Sequence, residues 1–300
     1  RIYEELAQDP RCRFFGNVML GRDVQVADLT AHYDQIVYAV GNEGERKLGV
    51  PGEELAGVHS ATEFVGWYNG HPDHAGRDFD LSGERAVIVG NGNVALDAAR
   101  MLLMPAAELA NTDIAQHALD ALAHSNIREV VIVARRGLRA AAFSAGEFLA
   151  LGHLDGIDVV IDGDDPSADP DDDVETAIKL EAARAHAARP ATPGNKRIVF
   201  KFLATPTEVL GTDAVTGLRV TGTDDGAVED IPTSLLLRSI GYRGAPLGDL
   251  EFDQAAGIVP NADGRVLDAA DRPVPGVYVT GWIKRGPRGV IGTNRTCAEE

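Results

Sequence analysis

Three stretches of the chain share one pattern, in which a run of apolar and β-branched residues ends in a glycine. They are residues 36–41, 86–90 and 277–281. Continuous runs of this kind are typical of strands buried on both faces, as in a parallel sheet covered by helices. The glycine permits a sharp turn at the carboxyl end of the strand, where open α/β sheets bind ligands. The pattern predicts an α/β fold.

The residues after the second strand predict a β-α-(α)-β unit. A helix with Asn93 as its N-cap would end at Pro105, which cannot continue a helix. Its buried face would consist of Val94, Ala95, Ala98, Ala99, Leu102 and Leu103. A second helix is expected from Thr112 to about residue 124, followed by a strand over residues 129–134.

The region near residues 198–221 has an alternating pattern that indicates antiparallel strands. The residues expected to form its turns are Gly211, Thr212, Asp213 and Gly217.

Length and charge narrow the class of protein. The chain has 300 residues, 44% of them hydrophobic, which makes two domains a reasonable expectation. A net charge of -18 argues against a nucleic-acid partner, which requires a basic face.

The two cysteines, Cys12 and Cys297, form no C-x-x-C pair, and no apolar run is long enough to cross a bilayer. We therefore expect no membrane span and a cytoplasmic location.

Two groups of polar residues could bind a metal ion or could be ordinary loops. Residues 162–173 contain seven aspartates but lack the spacing and central glycine of a calcium loop, which favours a solvated loop. His71 and His74 lack two further ligands at zinc-site spacing, so loop histidines are favoured. Nearby, Trp67 and Tyr68 are interpreted as core aromatics, with a stacking surface or a partner contact as alternatives.

Residues 90–95 read G-x-G-x-x-A between the predicted strand and helix, the context in which this motif binds dinucleotides. Gly90 would make the tight turn, and Gly92 would let the backbone approach a pyrophosphate. Ala95 is small enough for close packing of helix on strand, and the helix N-terminus offers N–H donors to the phosphates. A simple tight turn is the alternative.

The residues after the next strand predict which nucleotide is bound. NAD enzymes place an acidic residue there for the ribose 2′-hydroxyl, whereas this chain has Arg135 and Arg136. Guanidinium groups bind phosphate bidentately and keep their charge, so the pair indicates a 2′-phosphate and hence NADP. A pair of ordinary surface arginines is the alternative.

Several sequence blocks together resemble one family. Residues 90–97 and 134–137, the Gly-Trp-Tyr-Asn-Gly-His-Pro block at 66–72 and residues 281–294 resemble adrenodoxin reductase and the mycobacterial-type ferredoxin–NADP reductases. The resemblance covers essentially the whole chain in order. It implies two Rossmann-like dinucleotide-binding domains, with an NADPH domain inserted into an FAD domain. Residues 1–44 and 244–300 would belong to the FAD domain and residues 45–243 to the NADP(H) domain and its connections.

The resemblance also implies an activity and a set of cofactor contacts. The activity is that of a flavoprotein oxidoreductase transferring electrons between NADPH, FAD and a ferredoxin-like iron–sulfur protein, with no catalytic side chain assigned. The NADP contacts by match are Asn91, Gly92, Asn93, Val94, Arg135, Arg136 and Glu147, with Arg46 as an additional contact. Trp282, Gly289, Val290 and Ile291 match the segment that holds the flavin end of FAD, and Gly289 would also lie near NADP.

Two departures from the family pattern affect function. The family begins with its own G-x-G-x-x-G unit for the FAD phosphates, and this sequence lacks that unit. A truncated NADP(H)-binding module without catalytic activity is therefore the alternative function. Relatives also carry an acidic residue three positions after Glu147, where this chain has Ala150.

Lys284, Arg285 and Arg288 form a basic cluster in an otherwise acidic chain. Such a patch would steer an acidic ferredoxin toward the flavin, and solvated loop charges are the alternative. If residues 290–300 form a helix, its N–H groups could stabilise negative charge on a reduced flavin. The chain has no Walker loop, G-x-S-x-G elbow or C-x-x-C redox pair.

Overall fold

A computed structural model describes residues 2–42, 44–287, 289 and 291–300. Its helices in chain order are α1 (Ile2–Ala7), α2 (Val26–His32), α3 (Ala61–Tyr68), α4 (Asn93–Leu103), α5 (Ala106–Leu109), α6 (Gln116–Ala123), α7 (Ala145–Ala150), α8 (Val174–Ala187), α9 (Trp282–Arg285) and α10 (Ile291–Glu299). Within the described residues, no helix is both long enough and apolar enough to span a membrane.

The strands form sheets in two separate compact units, residues 1–45 with 242–300 and residues 46–241. In chain order they are β1 (Ile36–Tyr38), β2 (Gly44–Glu45), β3 (Val58–Ser60), β4 (Arg85–Val89), β5 (Glu129–Val133), β6 (Ile157–Asp162), β7 (Lys196–Lys201), β8 (Ala204–Gly211), β9 (Val215–Gly222), β10 (Val228–Pro232), β11 (Leu235–Arg238), β12 (Tyr242–Arg243), β13 (Asn261–Ala262), β14 (Arg265–Leu267) and β15 (Pro273–Val279).

The unit of residues 46–241 is built on a six-stranded sheet with the order β3-β11-β4-β5-β7-β6. Every pairing in this sheet is parallel. The central strands β4 and β5 are apolar on both faces, as their continuous runs of valine and isoleucine predict. The predicted parallel α/β arrangement is confirmed for this unit.

The two faces of this sheet are covered by different structures. On one face, Ala86, Ile88 and Ile132 pack in a cluster with the buried stripe of α4 and with Leu180 of α8. On the other, the cluster containing Val87, Val89, Val131 and Val133 includes side chains from the antiparallel sheet β10-β9-β8. Burying one such aliphatic side chain contributes about 1.5–3 kcal/mol, so both faces stabilise the sheet strongly. The expected covering by helices is confirmed for the first face, while the antiparallel sheet covers the second.

Local predictions in this unit were correct for some elements and wrong for others. The helix α4 ends just before Pro105, but Val94 is only half-buried and Leu96 joins its buried face. The helix expected from Thr112 to about residue 124 is confirmed as α6, although it begins later, at Gln116, and a separate short helix, α5, precedes it. The antiparallel hairpin is confirmed as β8 and β9, but β7 is a parallel strand and Gly217 lies within β9.

The unit of residues 1–45 and 242–300 contains a sheet with the order β1-β15-β14-β13. Here β1 pairs in parallel with β15, while β14 pairs with both of its neighbours in antiparallel fashion. The strands at residues 36–41 and 277–281 are thus confirmed, and Tyr38, Val277 and Val279 lie in the core of this unit. Val37 on β1 is 58% exposed, so the expected burial on both faces is wrong for β1 within the described chain.

Candidate functional site

The loops that carry the predicted nucleotide contacts meet at the carboxyl edge of the six-stranded sheet. Val89, the last residue of β4, lies in register with Val133 of β5 and with Arg238 of β11. The N–H of Gly90 donates to the carbonyl oxygen of Val133 at 2.9 Å, and the N–H of Ser239 donates to that of Val89 at 2.7 Å. This edge is where open α/β sheets bind their ligands.

The two glycines of the G-x-G-x-x-A loop occupy different environments. Gly90 has a φ of 109°, and a Cβ there would lie 2.2 Å from the carbonyl oxygen of Ser239, so only glycine fits. Gly92 is the N-cap of α4 with a φ of -87°, and a Cβ there would meet nothing within 4 Å. The space above Gly92 is therefore open to a ligand, while Ala95 is fully buried beneath it.

Asn93 is the first residue of α4, so the prediction that it caps the helix is wrong. Its side-chain oxygen instead accepts a hydrogen bond from the backbone N–H of Ser144 at 2.8 Å, which ties the dinucleotide loop to the start of α7. Asn91 and Val94, which flank Gly92 and Asn93, are half-buried.

Arg135 and Arg136 follow β5 at the same edge of the sheet. Both side chains are exposed, and neither guanidinium has a hydrogen bond or ion pair with any part of the chain that the structure describes. The backbone, in contrast, is held: the hydroxyl of Thr223 donates to the carbonyl oxygen of Arg135 at 3.1 Å. Two charged donors thus lie beside the dinucleotide loop with their bonding capacity unused.

Glu147 lies on α7, where its carboxylate accepts a hydrogen bond from Arg100 at 3.2 Å. The same guanidinium of Arg100 also pairs with Asp97 on α4. Glu147 is therefore positioned by an ion-pair network that joins α4 to α7. Ala150, the last residue of α7, is half-buried and carries no ionisable group.

Arg46 is exposed in a loop beside the same strand ends, and its backbone N–H donates to the carbonyl oxygen of Gly241 at 3.4 Å. The loop is held by the buried carboxylate of Glu53, which accepts from the N–H groups of Leu48 and Gly49 at 3.1 and 2.5 Å. Glu53 is neutralised by Arg238 at 2.9 Å. Sequence reasoning missed this pair, because the two residues are 185 positions apart and share no motif.

In the other unit, several buried polar atoms lack partners among the described residues. They are the hydroxyl of Tyr38, both side-chain amide atoms of Asn42 and the indole nitrogen of Trp282. Trp282 opens α9 and its ring lies 5.5 Å from that of Tyr242. Because buried polar groups are normally hydrogen-bonded, these atoms fit a polar ligand such as a flavin nucleotide.

The segment after α9 contains the other predicted flavin contacts. Gly289 is exposed with a φ of 82°, and a Cβ there would come within 2.7 Å of the Thr293 hydroxyl. Ile291 begins α10, which confirms the helix expected here, whereas Val290 and Arg288 lie outside the described residues.

Cys297 of α10 contacts the turn before α9. Its sulfur accepts from the N–H of Gly281 at 3.3 Å and from the hydroxyl of Thr280 at 3.7 Å. Burial alone would raise the pKa of this thiol, but these hydrogen bonds, together with Lys284 and Arg285, give a net lowering of the pKa.

The predicted basic cluster does not form a solvated patch at the two described positions. The side chain of Lys284 is 11% exposed and its ammonium pairs with Glu300 at 2.6 Å. This pairing is the main reason that the pKa of Lys284 is raised. Arg285 is half-buried and donates to the side-chain oxygen of Asn294. These contacts argue against a docking role for Lys284 and Arg285, since both cations are largely engaged within their own unit.

The described residues contain no group of three or more His, Cys, Asp or Glu side chains placed to hold a metal ion. His74 packs against Gly66, and the rings of His71 and His74 lie 5.3 Å apart. Trp67 is buried with Phe64 and Phe79, which confirms it as a core aromatic.

Comparison with known proteins gives an independent test of the family resemblance. No family model matches the chain. NADPH-ferredoxin reductase FprA from Mycobacterium tuberculosis is 46% identical over 316 positions, which cover 99% of this chain and 68% of that protein. Mitochondrial NADPH:adrenodoxin oxidoreductase from Arabidopsis thaliana is 40% identical over 330 positions, with the same coverage. The chain belongs to the ferredoxin/adrenodoxin–NADP reductase family.

The fold of this reductase-family chain agrees with that of a solved relative. The structure of M. tuberculosis FprA in complex with NADPH superimposes with a TM-score of 0.92 at 45% sequence identity. The match covers 99% of this chain and 68% of the FprA chain. The expected α/β class with Rossmann-like domains is confirmed.

Proposed function

We propose that this chain is the NADPH-binding and partial FAD-binding portion of a flavoprotein oxidoreductase that exchanges electrons with a ferredoxin-like iron–sulfur protein. Family membership supports the reaction class. The observation that carries the nucleotide assignment is the pair Arg135 and Arg136, exposed and unpaired among the described residues, beside an open glycine-rich loop. No observation favours a module without catalytic activity.

Residues 46–241 would form the NADP(H)-binding unit. Backbone N–H groups of Asn91, Gly92, Asn93 and Val94 at the start of α4 would hold the pyrophosphate, since a helix N-terminus favours anions. Arg135 and Arg136 would hold the 2′-phosphate through charged hydrogen bonds. Glu147, fixed by Arg100, and Arg46, on the loop braced by Glu53, would complete the contacts.

Residues 1–45 and 242–300 would form part of the FAD-binding unit. The unsatisfied polar atoms of Tyr38, Asn42 and Trp282 support this assignment, because a bound isoalloxazine or ribityl group would supply their missing partners. Trp282, Gly289, Val290 and Ile291 would surround the flavin end. Bound FAD would supply the chemistry, accepting a hydride from NADPH and releasing electrons one at a time to the iron–sulfur partner.

We also propose a cytoplasmic location. Both cysteines are free thiols, Cys12 exposed and Cys297 buried, which is consistent with a reducing compartment. The docking face for the iron–sulfur partner is not assigned to Lys284 and Arg285, because their contacts lie within their own unit.

The proposed activity can be tested with the purified protein after incubation with FAD. Retained FAD should give the visible absorbance of a flavoprotein, and NADPH added under anaerobic conditions should bleach that absorbance. Reoxidation by a ferredoxin would complete the reaction. A protein that binds NADPH but stays colourless after incubation with FAD would be a nucleotide-binding module, and the proposed electron transfer would be wrong for this chain.

A further inference from the structure

The acidic segment between β6 and α8 contacts the turn that follows the two unpaired arginines. The carboxylate of Asp164 accepts a hydrogen bond from the backbone N–H of Leu138 at 2.5 Å. Arg139 donates to the carboxylate of Asp172 at 2.9 Å and to the carbonyl oxygen of Ser167 at 2.6 Å. The acidic segment is thus exposed to solvent and is also hydrogen-bonded to the turn that follows Arg136.

Gly137 allows the closest of these contacts. A Cβ at Gly137 would lie 2.6 Å from the Asp164 carboxylate oxygen, closer than real side chains approach. The backbone of Gly137 has an ordinary φ of -69°, so glycine is required for the close approach of the carboxylate and not for an unusual turn. Asp164 therefore packs directly against the residue that follows Arg136.

Thr223 holds the backbone at Arg135, independently of the contacts made by Asp164. The hydroxyl of Thr223 donates to the carbonyl oxygen of Arg135, and the N–H of Thr223 donates to the carbonyl oxygen of Leu203 at 2.7 Å. The backbone around Arg135 and Arg136 is fixed on both sides, while the guanidinium groups remain available. Fixing a binding loop in advance lowers the ordering cost of ligand binding.

We propose that Asp164 is a positioning residue that sets the selectivity of this chain for nucleotides bearing a 2′-phosphate. This inference rests on the proposed function of Arg135 and Arg136. Asp164 has two opposing effects: its hydrogen bond to Leu138 holds the arginine loop, while its negative charge repels the incoming phosphate. In this proposal the hydrogen bond to Leu138 favours binding of the 2′-phosphate by more than the charge of Asp164 disfavours it.

Substitutions can separate these two effects. Asp164→Asn removes the charge and keeps one side-chain oxygen as acceptor for the Leu138 N–H, at the loss of the bond that the Asp165 N–H donates to the other oxygen. Asp164→Ala removes the charge and both acceptors. Asp171 is the matched control, because it lies in the same exposed segment and its carboxylate accepts no hydrogen bond from the described residues. Asp171→Asn and Asp171→Ala therefore differ in size but remove the same charge.

The measurement is the calorimetric affinity for adenosine 2′,5′-bisphosphate, with 5′-AMP as the ligand that lacks the 2′-phosphate. Asp164→Ala should bind the bisphosphate roughly three- to tenfold more weakly than Asp164→Asn, the range expected for one hydrogen bond. Asp164→Asn should bind it at least as tightly as the unmodified protein. The two Asp171 variants should bind it equally, and affinity for 5′-AMP should stay unchanged in all four variants.

The outcomes separate this inference from the proposed function. If the unmodified protein prefers the bisphosphate over 5′-AMP but Asp164→Ala and Asp164→Asn bind it equally, the positioning role of Asp164 is wrong and the proposed 2′-phosphate site stands. Equal losses for both ligands in Asp164→Ala would indicate a general structural role and would also overturn the inference. If the unmodified protein shows no preference, the 2′-phosphate site itself is wrong.

Discussion

The side-chain oxygen of Asn93 accepts a hydrogen bond from the backbone N–H of Ser144 at 2.8 Å, which joins the start of α4 to the start of α7, 51 residues apart in the chain. Ser144 in turn caps α7 by accepting from the N–H of Glu147 at 3.4 Å. The first residue of α4 thus fixes the start of the helix that carries Glu147.

Replacing Asn93 with alanine should destabilise the unit of residues 46–241 by about 1–3 kcal/mol, because the Ser144 N–H would lose its partner. Asn93→Asp keeps an acceptor oxygen and places its charge in the first turn of α4, where negative charge is favourable. Urea denaturation of the two variants would measure the difference. Equal destabilisation by both substitutions would show that the hydrogen bond to Ser144 is unimportant.

The two glycines of the dinucleotide loop should respond oppositely to substitution. Gly92→Val should nearly abolish NADP binding and leave the melting temperature almost unchanged, because only a ligand would occupy the space around its Cβ. Gly90→Ala should lower the melting temperature, because its Cβ would collide with Ser239 at a φ that disfavours side chains. Calorimetry and circular dichroism on both variants test this, and unchanged NADP affinity in Gly92→Val would show that the loop is only a turn.

Removing both Arg135 and Arg136 should reduce the preference for NADPH over NADH by roughly two orders of magnitude or more. Each charged hydrogen-bonded contact contributes about 1.5–3 kcal/mol, and two such contacts would be lost. The control is Arg189→Ala, another exposed arginine of the same unit, which donates to the carbonyl oxygen of Gly152 at 2.7 Å. The control should retain the preference, and a similar loss there would point to general electrostatics.

The stability of the unit of residues 46–241 should depend on pH through the buried His186. Burial lowers the pKa of His186 below its usual 6.5, an effect only partly offset by its contact with the carbonyl oxygen of Phe148. The unfolded chain therefore binds a proton at His186 at a higher pH than the folded chain does. Stability should be full above pH ~6.5 and should fall as the pH drops from there toward the lowered pKa.

Substituting His186 tests this pH dependence. In His186→Gln the loss of stability between pH ~7 and ~5 should be smaller than in the unmodified protein, with a residual slope from His59, whose pKa is lowered by burial as well. Denaturant unfolding across this pH range is the measurement. An unchanged slope in His186→Gln would contradict the assignment to this histidine.

The strands β4 and β5 and the tight turn at Gly90 were predictable because their signals are local. Uninterrupted valine and isoleucine runs specify β4 and β5, and the glycine spacing specifies the turn into α4. Helix boundaries between residues 105 and 116 were not predictable, because α5 and α6 are short and their stability depends on packing. The alternating pattern near β7 predicted an antiparallel strand, whereas its pairing with β5 and β6 is parallel.

The candidate site was only partly predictable for a related reason. Residue type and position predicted Arg135 and Arg136 as phosphate contacts, but no motif shows whether other residues already engage their guanidinium groups. The same limitation made Lys284 and Arg285 resemble a free basic patch, although Glu300 and Asn294 engage them. Glu53, Asp164 and Thr223 support the loops of the site from distant positions in the chain, so sequence spacing gave no indication of them.

The affinities of the unmodified protein for NADP⁺ and for NAD⁺, measured by calorimetry in one buffer, test the proposed 2′-phosphate site directly. The two ligands differ only by the 2′-phosphate that Arg135 and Arg136 are proposed to bind. NADP⁺ should bind about 100-fold more tightly than NAD⁺ or better, because of two charged contacts. Comparable affinities for NADP⁺ and NAD⁺ would contradict the assignment of this edge of the sheet as an NADP site.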